Sequence, residues 1–303
     1  MNTDINELHE KFSEYGKSAK EWQRKCILLL PETVRLRVWE EKGFSCIYEY
    51  AGKLAGMSKG QVIDALYILK KIEDKPALMR VVEEKGINAV RPVVSIATME
   101  DEKFWAGKAR EMGNNTLRVF VRDVTREALV MNESQQVRDI PKNENKIKII
   151  AMQLPSKLAQ RLEKLKGAGS WAEIVEELVE AKEKENAIRK IKLEEEKPEA
   201  MRTDSKHVPR GIRSYIRRRS EGKCEFPNCG KKTEHLHHVN RFSSDKVHDP
   251  DMIVALCKAH HDLAHRGLIE GEDGSTEDWK ITKERDYTNL NWYVDRQYEL
   301  YRR

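Results

Sequence analysis

Two short-range pairs of soft metal donors constrain this chain more than anything else in it. Cys224 and Cys229 are separated by four residues, and Cys257 and His260 by two. Each pair fits on one turn, and two such turns can aim four donors at a single tetrahedral ion, the arrangement zinc takes in structural sites. Gly230 follows the first pair, where a tight metal-binding knuckle would use a glycine. An ion held this way replaces a hydrophobic core that a small subdomain is too short to build. Placement supports the same reading: three of the five cysteines and eight of the nine histidines lie beyond residue 200. Five cysteines without a secretion signal do not make a disulfide framework. Cys26 and Cys46, far away among apolar residues, read as ordinary buried thiols.

Charge is informative through its distribution. The net charge of +5 is too mild to define a partner, but residues 202 to 219 hold seven Lys or Arg against one acidic residue, Asp204. Pro209 sits where a helix could begin. Ile212, Tyr215 and Ile216 would then face a core while Arg210, Arg213, Arg217 and Arg218 face outward. A face carrying almost only arginine is suited to phosphate contact. No stretch approaches the roughly 18 apolar residues a spanning helix needs, so no membrane partner is expected. Residues 1 to 21 are polar, with no apolar signal region, which gives the expectation of a cytoplasmic protein.

Upstream, residues 1 to 140 read as a helical domain of undefined role. Leu54, Gly56, Ser58, Gln61, Val62, Ile63, Leu66 and Leu69 spell helix, glycine turn, capping box and helix. That pattern is open between a helix-turn-helix and any two packed helices. Residues 132 to 145 are polar and contain Pro141, as a boundary would. Residues 145 to 185 then read as a strand-helix-helix element: a β-branched strand over 146 to 155, a helix with Leu158, Leu162 and Leu165, and a second helix started by Ser170 and Glu173. It is similar to ribbon-helix-helix repressors in layout. Three roles stay open for residues 145 to 180: a homodimer contact, a DNA reader or an intrachain packing unit. Residues 186 to 204, dense in Lys and Glu, read as a charged linker.

Residues 205 to 303 carry the chemistry. Between the donor pairs lies LHHVNRF (236 to 242), and the second pair is embedded in CKAHHDLAH (257 to 265). Over roughly residues 205 to 268 this order of basic helix, cysteine pair, His-His, acidic loop, LC-x-x-H-H and a final His resembles the HNH, or ββα-metal, endonucleases. The resemblance implies a mainly α chain ending in a zinc-braced ββα-metal domain that hydrolyses phosphodiester bonds by a one-metal mechanism. It assigns His238 as general base and His237, His261 and His265 as ligands of a catalytic magnesium or manganese ion. Cys224, Cys229, Cys257 and His260 would hold structural zinc; a swap of His260 and His261 is the alternative. Nucleic acid, as double-stranded DNA, is the implied partner, touched by Arg210, Arg213, Arg217, Arg218 and, beside the base, Arg241.

Spacing agrees with this division of labour. Consecutive strand residues face opposite ways, so His237 and His238 serve different purposes, while His261 and His265 share one helix face. His235 and His248 match nothing in the motif and read as surface residues. The family's central Asn falls on Met252, leaving Asp251 or Asn240 to replace its hydrogen bond. That departure keeps two rivals open: an impaired zinc-containing DNA-binding or regulatory protein, and an RNA-cleaving toxin or defence effector. Residues 269 to 303, with Trp279 and Trp292, are expected to add a strand and a helix.

Overall fold

The computed structural model describes residues 4–136, 153–167, 169–285, 291 and 294–296, with the side chains of 129–136 excepted. It is mainly helical with small antiparallel two-stranded sheets, and it divides into two compact units, residues 1–125 and 126–303.

The first unit is built from α1 (Ile5–Arg35), α2 (Val38–Glu41), α3 (Ile47–Ala55), α4 (Lys59–Lys71), α5 (Pro76–Lys85) and α6 (Glu102–Glu111), followed by the start of α7 (Asn114–Gln136). Gly56 ends α3 in the left-handed region at φ 64°, a conformation open to glycine without a Cβ clash. Ser58 and Gln61 then form the expected reciprocal capping box of α4. Val62, Ile68, Leu69, Leu78, Val81 and Phe120 are buried, but Leu54 and Ile63 face solvent. Cys26 and Cys46 are only half-buried.

The second unit begins its described part with α8 (Ser156–Lys166) and α9 (Trp171–Glu195). The strand expected over 146–155 lies largely outside the described residues. Both helices are present, and Ser170 with Glu173 caps α9 as the sequence predicts. Their apolar stripe is uncovered: of Trp171, Ile174, Val175, Leu178 and Val179, only Ile174 is buried.

Next come β1 (Met201–Arg202), α10 (Arg210–Arg219), β2 (His235–His238), α11 (Phe242–Asp245), β3 (Val247–His248), β4 (Ile253–Leu256), α12 (Lys258–His265), β5 (Ile269–Glu270) and β6 (Lys280–Ile281). β2 pairs antiparallel with β4, setting His235 opposite Leu256 and His238 opposite Ile253. β1 pairs with β3 and β5 with β6. Val208, Ile212, Tyr215 and Ile216 from α10 and the residues before it pack on Ile253 and Ala255, and Leu193 and Leu236 close the edge of this core. Arg219, missed as a structural residue, pins the same strand. Its guanidinium grips Glu225 and donates to the carbonyls of Pro250 and Ile253, at 2.7 and 2.6 Å, while Glu225 accepts from the amide of Ala255.

The charged stretch 186–204 is not a plain linker. Its first ten residues complete α9, because alternating Lys and Glu support helix as readily as they solvate a coil. It is also bolted down. Leu193 covers the core, Arg189 donates to the carbonyls of Arg218 and Arg219 at the end of α10 and pairs with Glu221, and Glu196 pairs with Arg218. Lys197 bridges Glu194 and Asp251.

Ile216 is wholly buried where α10 meets β4, whereas Ile188 on α9 is exposed. Ile216→Ala is expected to cost about 2–5 kcal/mol and Ile188→Ala less than about 0.5 kcal/mol, read from urea unfolding.

Candidate metal centres

The two turns meet as their spacing requires. Cys224, Cys229, Cys257 and His260 are all buried, and their donor atoms lie within 4.8 Å of one another. Nδ1 of His260 stands 3.2 Å from Sγ of Cys224 and 3.5 Å from Sγ of Cys257. Tetrahedral zinc with ordinary Zn–S and Zn–N bonds would set such edges at about 3.5 to 3.8 Å. The group could therefore hold a metal ion, and three thiolates with one imidazole form a donor set zinc accepts.

The backbone explains the aim. In the first turn the amide of Cys224 donates to the carbonyl of Lys231, and that of Cys229 to the carbonyl of Phe226. The left-handed residue here is Asn228, at φ 57°, rather than Gly230. Asn tolerates that region because its short polar side chain can bond locally. In the second turn Cys257 is the N-cap of α12 and His260 lies in the first turn of that helix. Phe226 stacks on the His260 ring at 4.0 Å. Mutual contact among the thiols holds Cys229 below its usual range and pushes Cys224 above it. Three packed thiols cannot all ionise without a cation among them.

The second centre lies on the other side of α12. His237, His261 and His265 bring one nitrogen each within a common 4.8 Å, so the structure places His261 here and His260 with the cysteines. Nε2 of His261 and Nε2 of His265 are 3.2 Å apart. Carboxylates back two of the three rings: His237 Nε2 meets Glu272 at 2.6 Å, and His265 Nδ1 meets Asp295 at 2.9 Å. A carboxylate on one ring nitrogen fixes the tautomer and leaves the other nitrogen bare for a metal. Nδ1 of His237 fits that description, being buried with no hydrogen-bond partner. Burial pushes His237 far below the usual imidazole range and His261 down to about 2, with Arg241 and the neighbouring histidines adding to the shift. Neutral rings are the state a metal needs. Three imidazoles suit zinc, nickel or another transition ion better than magnesium, which prefers oxygen donors.

Arg241 occupies a different place from the one the sequence suggests. It is 4% exposed. Its Nη1 donates to Glu272 at 2.6 Å and to the carbonyls of His238 and Val239, while Nε donates to Asp295 at 2.8 Å. All this capacity is used inside the protein, so Arg241 ties the end of β2 to the Glu272 turn and offers no phosphate contact. Burial pushes the Glu272 carboxyl upward, and Arg241 opposes the shift. Glu272 and Asp295 escaped sequence reading because neither shows a local pattern: one lies in a Gly-rich turn and the other in the C-terminal stretch.

His238 ends β2 on the face opposite His237. It lines an open groove of roughly 340 Å³ with Arg202, Asn240, Ser244, Asp245, Asp249 and Met252. Burial, then the neighbouring His248 and Arg241, push it down to about 4, so it is unprotonated at neutral pH. His248 is not a surface residue; it is fully buried against His238. His235 is exposed but stacks on His261 at 4.5 Å. Arg210, Arg213, Arg217 and Arg218 all lie exposed on α10, with Arg218 paired to Glu196.

Comparison with protein-family models, curated proteins and solved structures returned no match.

Purified protein is expected to carry at least one zinc per chain by elemental analysis, with the cysteine-bound ion lost in Cys257→Ser together with folding of the second unit. Glu272→Ala leaves Arg241 and His237 without their shared buried partner, and a loss of about 3–5 kcal/mol is expected in chemical unfolding.

Proposed function

We propose that this protein is a metal-dependent endonuclease of the HNH, or ββα-metal, kind, hydrolysing phosphodiester bonds of DNA. One observation carries the reading. Three clustered histidines, two of them backed by carboxylates, lie on one side of β2, and His238, unprotonated at neutral pH, ends the same strand beside an open groove.

A divalent ion held by His237, His261 and His265 would supply positive charge for the phosphorane and the departing oxygen. His238 takes a proton from the attacking water, a role that requires a neutral ring within hydrogen-bonding reach of it. Because His238 is the last residue of β2, a phosphodiester laid across the strand end can meet the histidine group from one side and the base from the other. Arg210, Arg213 and Arg217 on α10 are the side chains proposed to follow the nucleic-acid backbone. The three-imidazole site moves the favoured ion away from magnesium, toward a transition metal.

The rival reading, a zinc-containing module that binds DNA without cutting it, draws on Met252. That residue gives the loop its backbone carbonyl, accepting from Val239 at 2.8 Å, and no polar side chain.

Supercoiled plasmid, single-stranded DNA and RNA, each incubated with Mg²⁺, Mn²⁺, Ni²⁺ or Zn²⁺ and with EDTA as control, test the proposal. Nicking of plasmid that EDTA abolishes, that saturates at lower concentration for a transition ion than for Mg²⁺, and that drops by about 10²–10⁴ in His238→Ala is the expected result. Retention of DNA without any cleavage would leave the binding module.

A further inference from the structure

Ser205, His248 and His238 form a chain of hydrogen bonds that neither the metal centres nor the general-base assignment accounts for. Nε2 of His248 lies 3.0 Å from the carbonyl oxygen of Ser205, and Nδ1 of His248 lies 2.9 Å from Nε2 of His238. A carbonyl oxygen only accepts, so Nε2 of His248 must carry the hydrogen. With that hydrogen in place, the contact between the two rings is satisfied when Nδ1 of His248 accepts and Nε2 of His238 donates. The lone pair left on His238 is on Nδ1.

The anchor is rigid. His248 is fully buried. It pairs across the sheet with Met201 and stacks on Phe242 with ring centres 4.6 Å apart and planes 13° from parallel. Segment 201–205 is itself held by the amide of Thr203 on the carbonyl of Lys246 and by the Asp204–Lys246 ion pair. The side chains that could otherwise steady His238 from the loop do not reach it: Met252 has no polar group, Asp251 pairs with Lys197, and Asn240 is exposed.

We infer that His248 is the positioning residue of this site, holding His238 in the tautomer and orientation that turns Nδ1 toward the attacking water. The inference rests on the nuclease reading for its consequence, although the tautomer can be observed without any reaction. Ring orientation set by a hydrogen bond on the far nitrogen is a general device for histidines in catalysis.

The experiment uses full-length, zinc-loaded chain labelled with ¹⁵N at histidine, in wild-type, His248→Gln and His248→Leu forms, with zinc content and melting temperature measured on each. Gln can accept from His238 and donate to Ser205, whereas Leu can do neither. Expected are a His238 signal with protonated Nε2 and bare Nδ1 in the wild type, retained in His248→Gln and lost to a tautomer mixture in His248→Leu. Plasmid cleavage should fall about 10²-fold in kcat for His248→Leu, with KM little changed, and recover to within about tenfold in His248→Gln. A wild-type His238 protonated on Nδ1, or a folded, zinc-replete His248→Leu with wild-type kcat, overturns the inference. A wild type that shows the expected tautomer but never cuts nucleic acid overturns the nuclease reading instead. Should His248→Leu fail to fold, the wild-type tautomer and the activity of His248→Gln decide the matter: unchanged tautomer with restored cleavage supports the inference, and a folded His248→Gln without activity overturns it.

Discussion

Three cysteines and a histidine packed in the dry interior make a poor core unless a cation sits among them. Thiolates repel one another, an imidazole cannot neutralise them, and desolvation penalises every charge that remains. An ion held by these four donors would therefore do the work of a core, fastening the Cys224–Cys229 turn to the start of α12. His260 and His261 are one residue apart on a helix, about 100° of rotation. Fixing His260 toward the cysteines therefore turns His261 and His265 toward His237.

On the far side of α12 the problem is inverted. Here burial disfavours the charged form of His237 and His261, and carboxylates brought up from behind orient two of the rings. Glu272 arrives on the turn between β5 and β6, and Asp295 comes from the C-terminal stretch. The buried Glu272 and the half-buried Asp295 need a counter-charge, and Arg241 provides it to both. Removing that arginine from the surface sacrifices a phosphate contact, but it locks the end of β2, where His237 and His238 diverge. The C-terminal residues that looked like a mere addition to the domain are thus part of the site's electrostatics.

Much of this was legible beforehand where chemistry depends on local spacing. Capping boxes at Ser58 and Ser170, the basic face of α10 with Ile212, Tyr215 and Ile216 turned inward, and the separation of His237 from His238 across a strand all follow from short-range periodicity. Residues whose partners lie far along the chain were misread. His248 looked like a surface histidine because no motif claims it, yet pairing of β3 with β1 buries it. Arg241 followed a candidate base and suggested a phosphate contact, yet Glu272 and Asp295, 31 and 54 positions away, engage it. Residues 186–204 looked like a linker because alternating charge fits helix and solvated coil equally; Leu193 and the ion pairs of Arg189, Glu196 and Lys197 resolve the ambiguity.

By itself, then, the sequence determined the donor inventory: which side chains can bind a metal, how they are grouped in turns, and which helix and strand faces they share. Those properties depend on bond geometry over a few residues, and they hold in any fold that keeps the local elements. Only the tertiary structure decided which carboxylate stands behind which imidazole, where Arg241 spends its charge, and which group holds His238. Such contacts join residues tens of positions apart. They arise when β1 meets β3 and the β5–β6 turn closes on β2, and no local periodicity encodes those meetings.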